Sequence, residues 1–310
     1  MIVALAGGVG GAKMAHGLEM ASQAPITVVV NTADDFELFG LRICPDLDTV
    51  MYTLAGLANP ATGWGIEGDT RVTLDSIERF LGPSWFMVGD QDFGTHIVRS
   101  EALNAGHLLS AITAMLTESV SVRSLILPMT NDIVETIVVT PGGPLAFQDY
   151  FVRRKQQDQV DGIRFKGAGS AAALPDALNA IEHAEVVVIC PSNPLVSIGP
   201  ILALQGYRDA LKSTVAPRIA VSPIIGGKAL KGPADRMMAT TGHEVSALGV
   251  ARMYEGVIDG LVIDDQDRGL AAEIESLEIS VWVTDSIMTT NEDRKRLGRE
   301  VLDFAATMSR

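Results

Sequence analysis

The residues best able to do chemistry lie within the first thirteen positions of the chain. Gly7, Gly8, Gly10 and Gly11 follow a short apolar run, and Lys13 closes the segment. Glycines let backbone N–H groups approach an anion with no Cβ in the way. A helix that follows adds the partial positive charge of its N-terminus, and a lysine adds a full charge. The segment predicts a site for a phosphate-containing ligand, and the alternative is a tight turn that binds nothing.

The spacing of this glycine loop differs from two familiar phosphate loops. Lys13 is followed by Met14 rather than by Ser or Thr, which excludes a Walker A loop. A dinucleotide fingerprint would need a third glycine where this chain has Lys13. The loop therefore indicates phosphate without specifying the rest of the ligand.

Polar side chains cluster after the second apolar run and before the next predicted helix. They are Asn31, Asp34, Asp35, Asp46, Asp48 and Thr49. Carboxylate oxygens are ligands that Mg²⁺ prefers, and a carboxylate can also orient or deprotonate an attacking hydroxyl. The functional interpretation is that Asp34, Asp35, Asp46 and Asp48 cluster as oxygen ligands for Mg²⁺. We interpret Asp46 and Asp48 as the catalytic and metal-binding residues. The substrate-binding candidates in this cluster are Asn31, Asp34, Asp35 and Thr49. The structural alternatives are a helix N-cap for Asp48 and a helix-dipole role for Asp46.

Two later loops and one acidic motif supply the remaining candidates for substrate binding. The loops follow the strands that end near residues 190 and 222, and the motif is GDQDFGTH. The candidate residues are Gln91, His96, Ser192, Asn193, Pro194, Gly226, Gly227 and Lys228. Each loop taken alone is equally well explained as a capping loop or a solvated turn.

The elements that position these residues alternate between strand and helix. Strands are predicted over 2–6, 26–31, 125–128, 133–140, 186–190, 219–222, 260–263 and 280–284. Such nearly continuous apolar runs suit a parallel sheet that is covered on both faces. We expect an α/β fold with a Rossmann-like, doubly wound and mainly parallel sheet, formed by residues 1–48 and 121–310. Residues 49–120 are predicted to form a mostly helical insert. Ligands bind outside the carboxyl ends of such strands, where the polar loops lie.

Composition narrows the class of protein. The 310 residues carry a formal net charge of −14, which argues against nonspecific binding to nucleic acid or anionic membranes. Two cysteines are too few for a disulfide framework and are typical of a reducing cytoplasm. We find no apolar run of membrane-spanning length and no signal peptide, so a cytoplasmic location is expected.

Taken together, the motifs resemble those of the 2-phospho-L-lactate transferase family of coenzyme F-420 biosynthesis. They include GGVGGAK, VVVNTADD, PDLDTVMYTLAG, GDQDFGTHIVR, PSNPLVSIGPIL and VSPIIGGKALKGPADRM. The resemblance implies transfer of a phospho-acid from a guanosine diphosphate-linked donor to the riboflavin analogue Fo, with release of GMP. It also implies Mg²⁺, a Fo pocket formed partly by the insert, and a homodimer. The acid can be lactyl, enolpyruvyl or glyceryl.

The chain departs from the family pattern at Gln91, where members commonly have arginine. An amide cannot supply the charge or the planar fork of a guanidinium group. We therefore expect either another cation, with Arg99 as the candidate, or a different acid moiety in the donor.

Two other classes of protein compete with this interpretation. A YvcK-like nucleotide-sugar-binding regulatory protein shares a glycine loop and an Asp pair, but PDLDT and FQDYFVRR favour the transferase. A nicotinamide-dependent dehydrogenase is disfavoured by the glycine spacing and by Asn31 at the end of the second strand.

Overall fold

The structure is a computed structural model that describes residues 1–308. Its strands are β1 (Ile2–Ala6), β2 (Thr27–Val30), β3 (Phe36–Leu38), β4 (Leu41–Ile43), β5 (Leu125–Pro128), β6 (Glu135–Thr140), β7 (Gly143–Ala146), β8 (Gly162–Lys166), β9 (Val186–Ile189), β10 (Arg218–Val221), β11 (Ile224–Ile225), β12 (Lys228–Ala229), β13 (Gly260–Asp264) and β14 (Ser280–Thr284).

The α-helices cover both faces of the sheet. They are α1 (Gly8–Ser22), α2 (Pro45–Leu54), α3 (Val72–Leu81), α4 (Asp90–Asn104), α5 (Leu109–Ser119), α6 (Pro175–Glu182), α7 (Ile198–Ala203), α8 (Tyr207–Ser213), α9 (Ala234–Thr240), α10 (Ala247–Met253), α11 (Ala271–Glu275) and α12 (Asn291–Ala306). Within residues 1–308, no helix combines the length and the apolar character that a membrane span requires.

Seven strands form one parallel sheet in the order β14-β13-β10-β9-β1-β2-β5. Alternate side chains of β1 point to opposite sides: Val3 and Leu5 join one hydrophobic core, and Ala4 and Ala6 join the other. Both faces of the sheet are therefore buried, as the apolar runs predicted. The predicted doubly wound, Rossmann-like fold is confirmed.

The strand order places a switch point between β1 and β9. From β1 the chain proceeds through β2 to β5 at one edge, and it then returns to β9 and continues to the other edge. Loops that leave β1 and β9 consequently diverge and open a crevice at the carboxyl ends of these strands. This topology places the glycine loop beside the loop that follows β9.

Some elements differ from those expected. Helix α1 begins at Gly8, so Gly8, Gly10 and Gly11 belong to the start of the helix instead of a loop before it, and Gly7 is the N-cap. The predicted strand near 133–140 lies in a separate antiparallel sheet of order β7-β6-β8. Residues along β6 alternate between buried and half-buried, as expected when only one face of a sheet is covered. The β3–β4 hairpin was not predicted because three-residue strands carry too little periodicity.

The insert contains two kinds of helix. Helices α3 and α4 share a small apolar cluster with the β3–β4 hairpin, and Leu74, Val88 and Phe93 are buried in it. Helices α2 and α5 instead bury apolar side chains in one of the two main cores. The domain division at residues 49 and 120 stays a prediction, although these two helices pack as parts of the Rossmann-like layer.

Helices α1 and α12 touch backbone to backbone beneath the glycine loop. A Cβ atom on Gly298 would lie 2.4 Å from the carbonyl oxygen of Gly17, and one on Gly17 would lie 2.2 Å from that of Arg294. Both distances are far below van der Waals contact. The position of α1, and therefore of its first turn, depends on this close crossing.

We predict that Gly298→Ala lowers the midpoint of thermal unfolding. The added methyl group must push the two helices apart, and overpacking of this kind typically costs about 1–3 kcal/mol. Gly269→Ala is the matched control, because a Cβ there meets nothing within 4 Å. That variant should be unchanged or more stable by about 0.4–1 kcal/mol. Equal unfolding midpoints for the two variants would contradict the close crossing.

Candidate active site

A cavity of about 950 Å³ opens at the switch point of the sheet. Its wall includes eleven of the predicted site residues, drawn from the loops after β1, β2 and β9 and from helices α1, α2 and α4. They are Gly7, Gly8, Gly10, Lys13, Asp34, Asp46, Asp48, Thr49, His96, Ser192 and Asn193. The structure therefore brings together residues that are up to 186 positions apart in the chain.

Other predicted residues lie away from this wall. They are Gly11, Asn31, Asp35, Gln91, Pro194, Gly226, Gly227 and Lys228. Pro194 lines a smaller cavity of about 280 Å³, and Asp35 lies 3.5 Å from Arg42. Lys228 is in the short strand β12, and Lys231 lines the cavity in its place. A direct substrate contact for these residues stays a prediction.

The glycines of the first turn of α1 are needed for close packing as well as for ligand access. A Cβ on Gly10 would lie 2.3 Å from the carbonyl oxygen of Pro191, and one on Gly11 would lie 2.6 Å from Ser192 Oγ. The Gly7 amide donates a hydrogen bond to the same Ser192 hydroxyl at 3.2 Å. Any larger side chain at these positions would separate α1 from the loop after β9.

One side of the cavity is suited to an anion. Val9 and Gly10 lie in the first turn of α1, where backbone amides have no acceptor within the helix, and both residues line the cavity. Lys13 donates a hydrogen bond to the carbonyl oxygen of Met288 at 2.8 Å. Burial lowers the pKa of Lys13, and the nearby charges of Arg294 and Lys231 lower it further. Amides and cations here can bind phosphate oxygens.

Asp46 connects three elements of the site. Its carboxylate accepts hydrogen bonds from the Gly8 amide at 2.8 Å and from the Asn31 side-chain amide at 3.0 Å. Asn31 also donates to the carbonyl oxygen of Val196 at 3.3 Å. Burial raises the pKa of Asp46 to about 6. Asn31 does not line the cavity, but its side chain positions two residues that do, Asp46 and Val196.

Asp34 and Asp46 are suited to a divalent cation. Asp34 Oδ1 is buried and has no hydrogen-bond partner among residues 1–308. Burial raises the pKa of Asp34, and the Asp46 carboxylate raises it further. Two neighbouring carboxylates in a low-dielectric cavity repel each other, and a cation would relieve this cost. Their hard oxygen atoms are the ligands that Mg²⁺ prefers, so the residues fit this ion.

Asp48 is held by an arginine. Both Asp48 carboxylate oxygens accept hydrogen bonds from the buried guanidinium group of Arg99, one of them at 3.0 Å. Helix α2 begins at Pro45 with Cys44 as its N-cap, so the N-cap alternative for Asp48 is wrong. A metal role for Asp48 stays a prediction, but the guanidinium group already neutralises its charge and would repel a cation. Because the Arg99 guanidinium group is paired with Asp48, it is not free to supply the positive charge that an arginine at position 91 would provide.

His96 lines the cavity, and its two ring nitrogens face Arg99 and Asp92. Arg99 lies 3.3 Å from His96 Nδ1, and because a guanidinium group only donates, Nδ1 accepts and the proton is on Nε2. His96 Nε2 is buried without a hydrogen-bond partner among the described residues and lies 3.4 Å from Asp92 Oδ1. Asp92 in turn accepts a hydrogen bond from the Tyr52 hydroxyl at 2.7 Å. Ligand atoms of Asp48, Asp92 and His96 lie within 4.8 Å of one another, but the guanidinium group makes this cluster unfavourable for a metal.

The acidic motif around Gln91 has a structural role. Asp69 accepts the backbone N–H of Gln91 at 2.9 Å at the start of α4. Asp90 accepts the backbone N–H groups of Val72 and Thr73 at 3.0 and 2.8 Å at the start of α3. Asp69, which precedes α3, therefore caps α4, and Asp90, the first residue of α4, caps α3. The side chain of Gln91 is exposed outside the cavity wall.

Sequence reasoning did not assign several residues that line the cavity. They include Tyr52, Trp85, Phe86, Met87, Phe147, Phe151, Ser222, Lys231 and the 286–289 loop. Trp85 and Phe86 pack edge to face at 5.7 Å, and Phe36 supports Phe86 at 4.8 Å. The sequence analysis expected the insert, which contains Trp85 and Met87, to form part of the Fo pocket. It assigned no single apolar residue, because an apolar side chain is indistinguishable from core until the fold is known.

Comparisons with known proteins identify relatives over nearly the whole chain. Residues 2–303 match the family model described as 2-phospho-L-lactate transferase CofD. A phosphoenolpyruvate transferase of Streptomyces griseus is 42% identical over 311 residues, which cover 98% of each chain. A 2-phospho-L-lactate transferase of Methanosarcina mazei is 37% identical over 302 residues, which cover 97% of this chain and 99% of that one.

A solved structure supports the fold alone. A UPF0052 family member from Bacillus halodurans superposes with a TM-score of 0.63 at 15% identity, covering 97% of this chain and 98% of that one. The family match spans nearly the whole chain, and the two transferases exceed one-third identity over almost their full length. The chain therefore belongs to the 2-phospho-L-lactate transferase CofD family.

Proposed function

We propose that this chain transfers a phospho-acid group from a guanosine diphosphate-linked donor to the terminal ribityl hydroxyl of Fo. The products are GMP and coenzyme F-420-0 or its dehydro form. The observation that carries the proposal is that a single cavity combines an anion-binding helix terminus, a carboxylate pair and an aromatic wall. The names of the Streptomyces griseus and Methanosarcina mazei relatives support a phospho-acid transferase.

The proposed reaction makes and breaks one bond at the same phosphorus atom. The hydroxyl oxygen of Fo forms a bond to the phosphorus that bears the acid, and the bond from that phosphorus to the GMP oxygen breaks. GMP leaves with the electron pair, and the hydroxyl group loses its proton. Such a transfer needs positioning and charge stabilisation more than covalent catalysis. The first-turn amides of α1 and the Lys13 ammonium group supply both to the diphosphate.

Three carboxylates have separate roles in this proposal. Asp34 and Asp46 would hold Mg²⁺, which neutralises negative charge on the transferring phosphoryl group when it is bound. Arg99 fixes the orientation of the Asp48 carboxylate, which would accept a hydrogen bond from the attacking hydroxyl. Asp46 retains a catalytic role because it also fixes the Gly8 amide beside the phosphate.

The remaining wall is suited to the flat ring of Fo. Trp85, Phe86 and Met87 present apolar surface to the cavity, and aromatic and thioether groups pack well against planar rings. His96 also lines the cavity, and a small rotation of its ring away from Asp92 would let the imidazole bond to a polar edge of Fo. The higher identity to the Streptomyces griseus relative supports enolpyruvyl as the preferred acid.

We predict that purified protein, incubated with Fo, Mg²⁺ and the enolpyruvyl donor, forms the dehydro product and an equal amount of GMP. Mass spectrometry of parallel reactions with the lactyl and glyceryl donors ranks the three acids. Asp46→Asn should slow turnover by about 10²–10³, a typical cost of losing one group that stabilises charge in the transition state, since it removes a proposed Mg²⁺ ligand.

The matched control is Asp303→Asn, which changes an exposed aspartate of α12. It should retain wild-type turnover. Absence of product with all three donors would reject the transferase proposal. Thermal protection by UDP-sugars, without protection by GDP, would instead indicate the YvcK-like nucleotide-sugar-binding class.

A second prediction concerns the metal. Mg²⁺ at about 100 times its dissociation constant should add about 2.7 kcal/mol to the free energy of unfolding. This gain should disappear in Asp34→Asn and persist in Asp303→Asn, as measured by thermal unfolding with Mg²⁺ and with EDTA. Without metal, Asp34→Asn should be at least as stable as wild type, because it removes a buried charge that Asp46 repels. An undiminished Mg²⁺ effect in Asp34→Asn would rule out the Asp34–Asp46 metal site.

A further inference from the structure

Three cations beside the cavity lack acidic partners. Among residues 1–308, no carboxylate lies within 4.0 Å of the charged nitrogens of Lys13, Lys231 or Arg294. Lys13 and Lys231 donate to backbone carbonyl oxygens, and Arg294 lies 3.1 Å from His16 Nδ1. Unpaired cations clustered in a protein of net charge −14 form a local site for an anion.

Lys231 is hydrogen-bonded to another residue of the cavity wall. Its ammonium group donates a hydrogen bond to the carbonyl oxygen of Thr62 at 3.0 Å, which joins two loops from distant parts of the chain. Both residues line the cavity. The next residue, Gly63, packs closely against Val9 and Lys231. A Cβ on Gly63 would lie 2.6 Å from Val9 Cγ1 and 3.3 Å from Lys231 Nζ. The Lys231–Thr62 contact therefore lies directly over the first turn of α1.

The Thr62 carbonyl is a replaceable partner for this ammonium group. A phosphate oxygen carries a full negative charge, so it attracts an ammonium group more strongly than a neutral carbonyl oxygen does. Lys231 is exposed and has a flexible stem, so its ammonium group can move without disturbing packed residues. A bound anion would also reduce the repulsion between the Lys13 and Lys231 charges.

We propose that Lys231 is a diphosphate-binding residue whose ammonium group leaves the Thr62 carbonyl and, together with Lys13, binds the phosphate oxygens of the donor. The identity of the donor rests on the proposed function, whereas the anion site depends only on the arrangement of the two lysines and the first turn of α1. The Lys231–Thr62 hydrogen bond closes the mouth of the free protein and is exchanged when the diphosphate binds.

The test is isothermal titration of the full chain with inorganic pyrophosphate and, separately, with GDP, in the presence of Mg²⁺. Lys231→Met should weaken both affinities by about tenfold or more, as expected when a hydrogen bond to a charged group is lost. Lys231→Arg should retain most of the affinity. Lys212→Met, at an exposed lysine in α8, is the control and should bind like wild type.

Lys231→Gln separates charge from loop closure, because its side-chain amide can still donate to Thr62. We expect it to bind pyrophosphate as weakly as Lys231→Met. Wild-type affinity in Lys231→Gln, or in Lys231→Met, would overturn the inference, as would failure of the wild-type protein to bind pyrophosphate. If pyrophosphate binding depends on Lys231 but no transfer product forms, the proposed donor and acceptor are rejected while the anion site stands.

Discussion

The site depends on one buried carboxylate, that of Asp46. It accepts hydrogen bonds from the Gly8 amide after β1 and from the Asn31 amide at the end of β2, while its own backbone begins α2. Gly7 packs so tightly here that a Cβ would lie 2.6 Å from Asp46 Oδ2. A buried charge is tolerated only when it is bonded, so these contacts fix three elements relative to one another. The cavity takes its shape from that constraint.

The cavity wall carries charges of both signs. The carboxylates of Asp34 and Asp46 lie near each other, and so do the ammonium groups of Lys13 and Lys231. A strongly acidic protein would repel the anionic donor of the proposed reaction at long range, so local groups would have to bind it. In that proposal, first-turn amides and two lysines bind the diphosphate, and a cation on the carboxylates completes its neutralisation. The aromatic wall would then contact the second, largely uncharged substrate.

Much of the fold was predictable because it is encoded in local patterns. The buried strands are continuous apolar runs, and the glycine loop directly follows the first of them. Contacts between distant residues were not predictable. Asp48 and Arg99 are 51 positions apart, and the reciprocal caps made by Asp69 and Asp90 bridge about 20 positions. The periodicity of a helix or strand extends over only a few residues, so it cannot indicate these contacts. Lys228 and Lys231 look equivalent in the sequence, and only the turn between β11 and α9 decides which one lines the cavity.

The most direct measurement is anomalous diffraction from a crystal of this protein grown with Mn²⁺ and GDP. We predict an anomalous peak between the carboxylates of Asp34 and Asp46, with the diphosphate against the amides of Val9 and Gly10. Nucleotide density outside this cavity, or a metal held by Asp48, Asp92 and His96 with none beside Asp34, would contradict the assignment of the site.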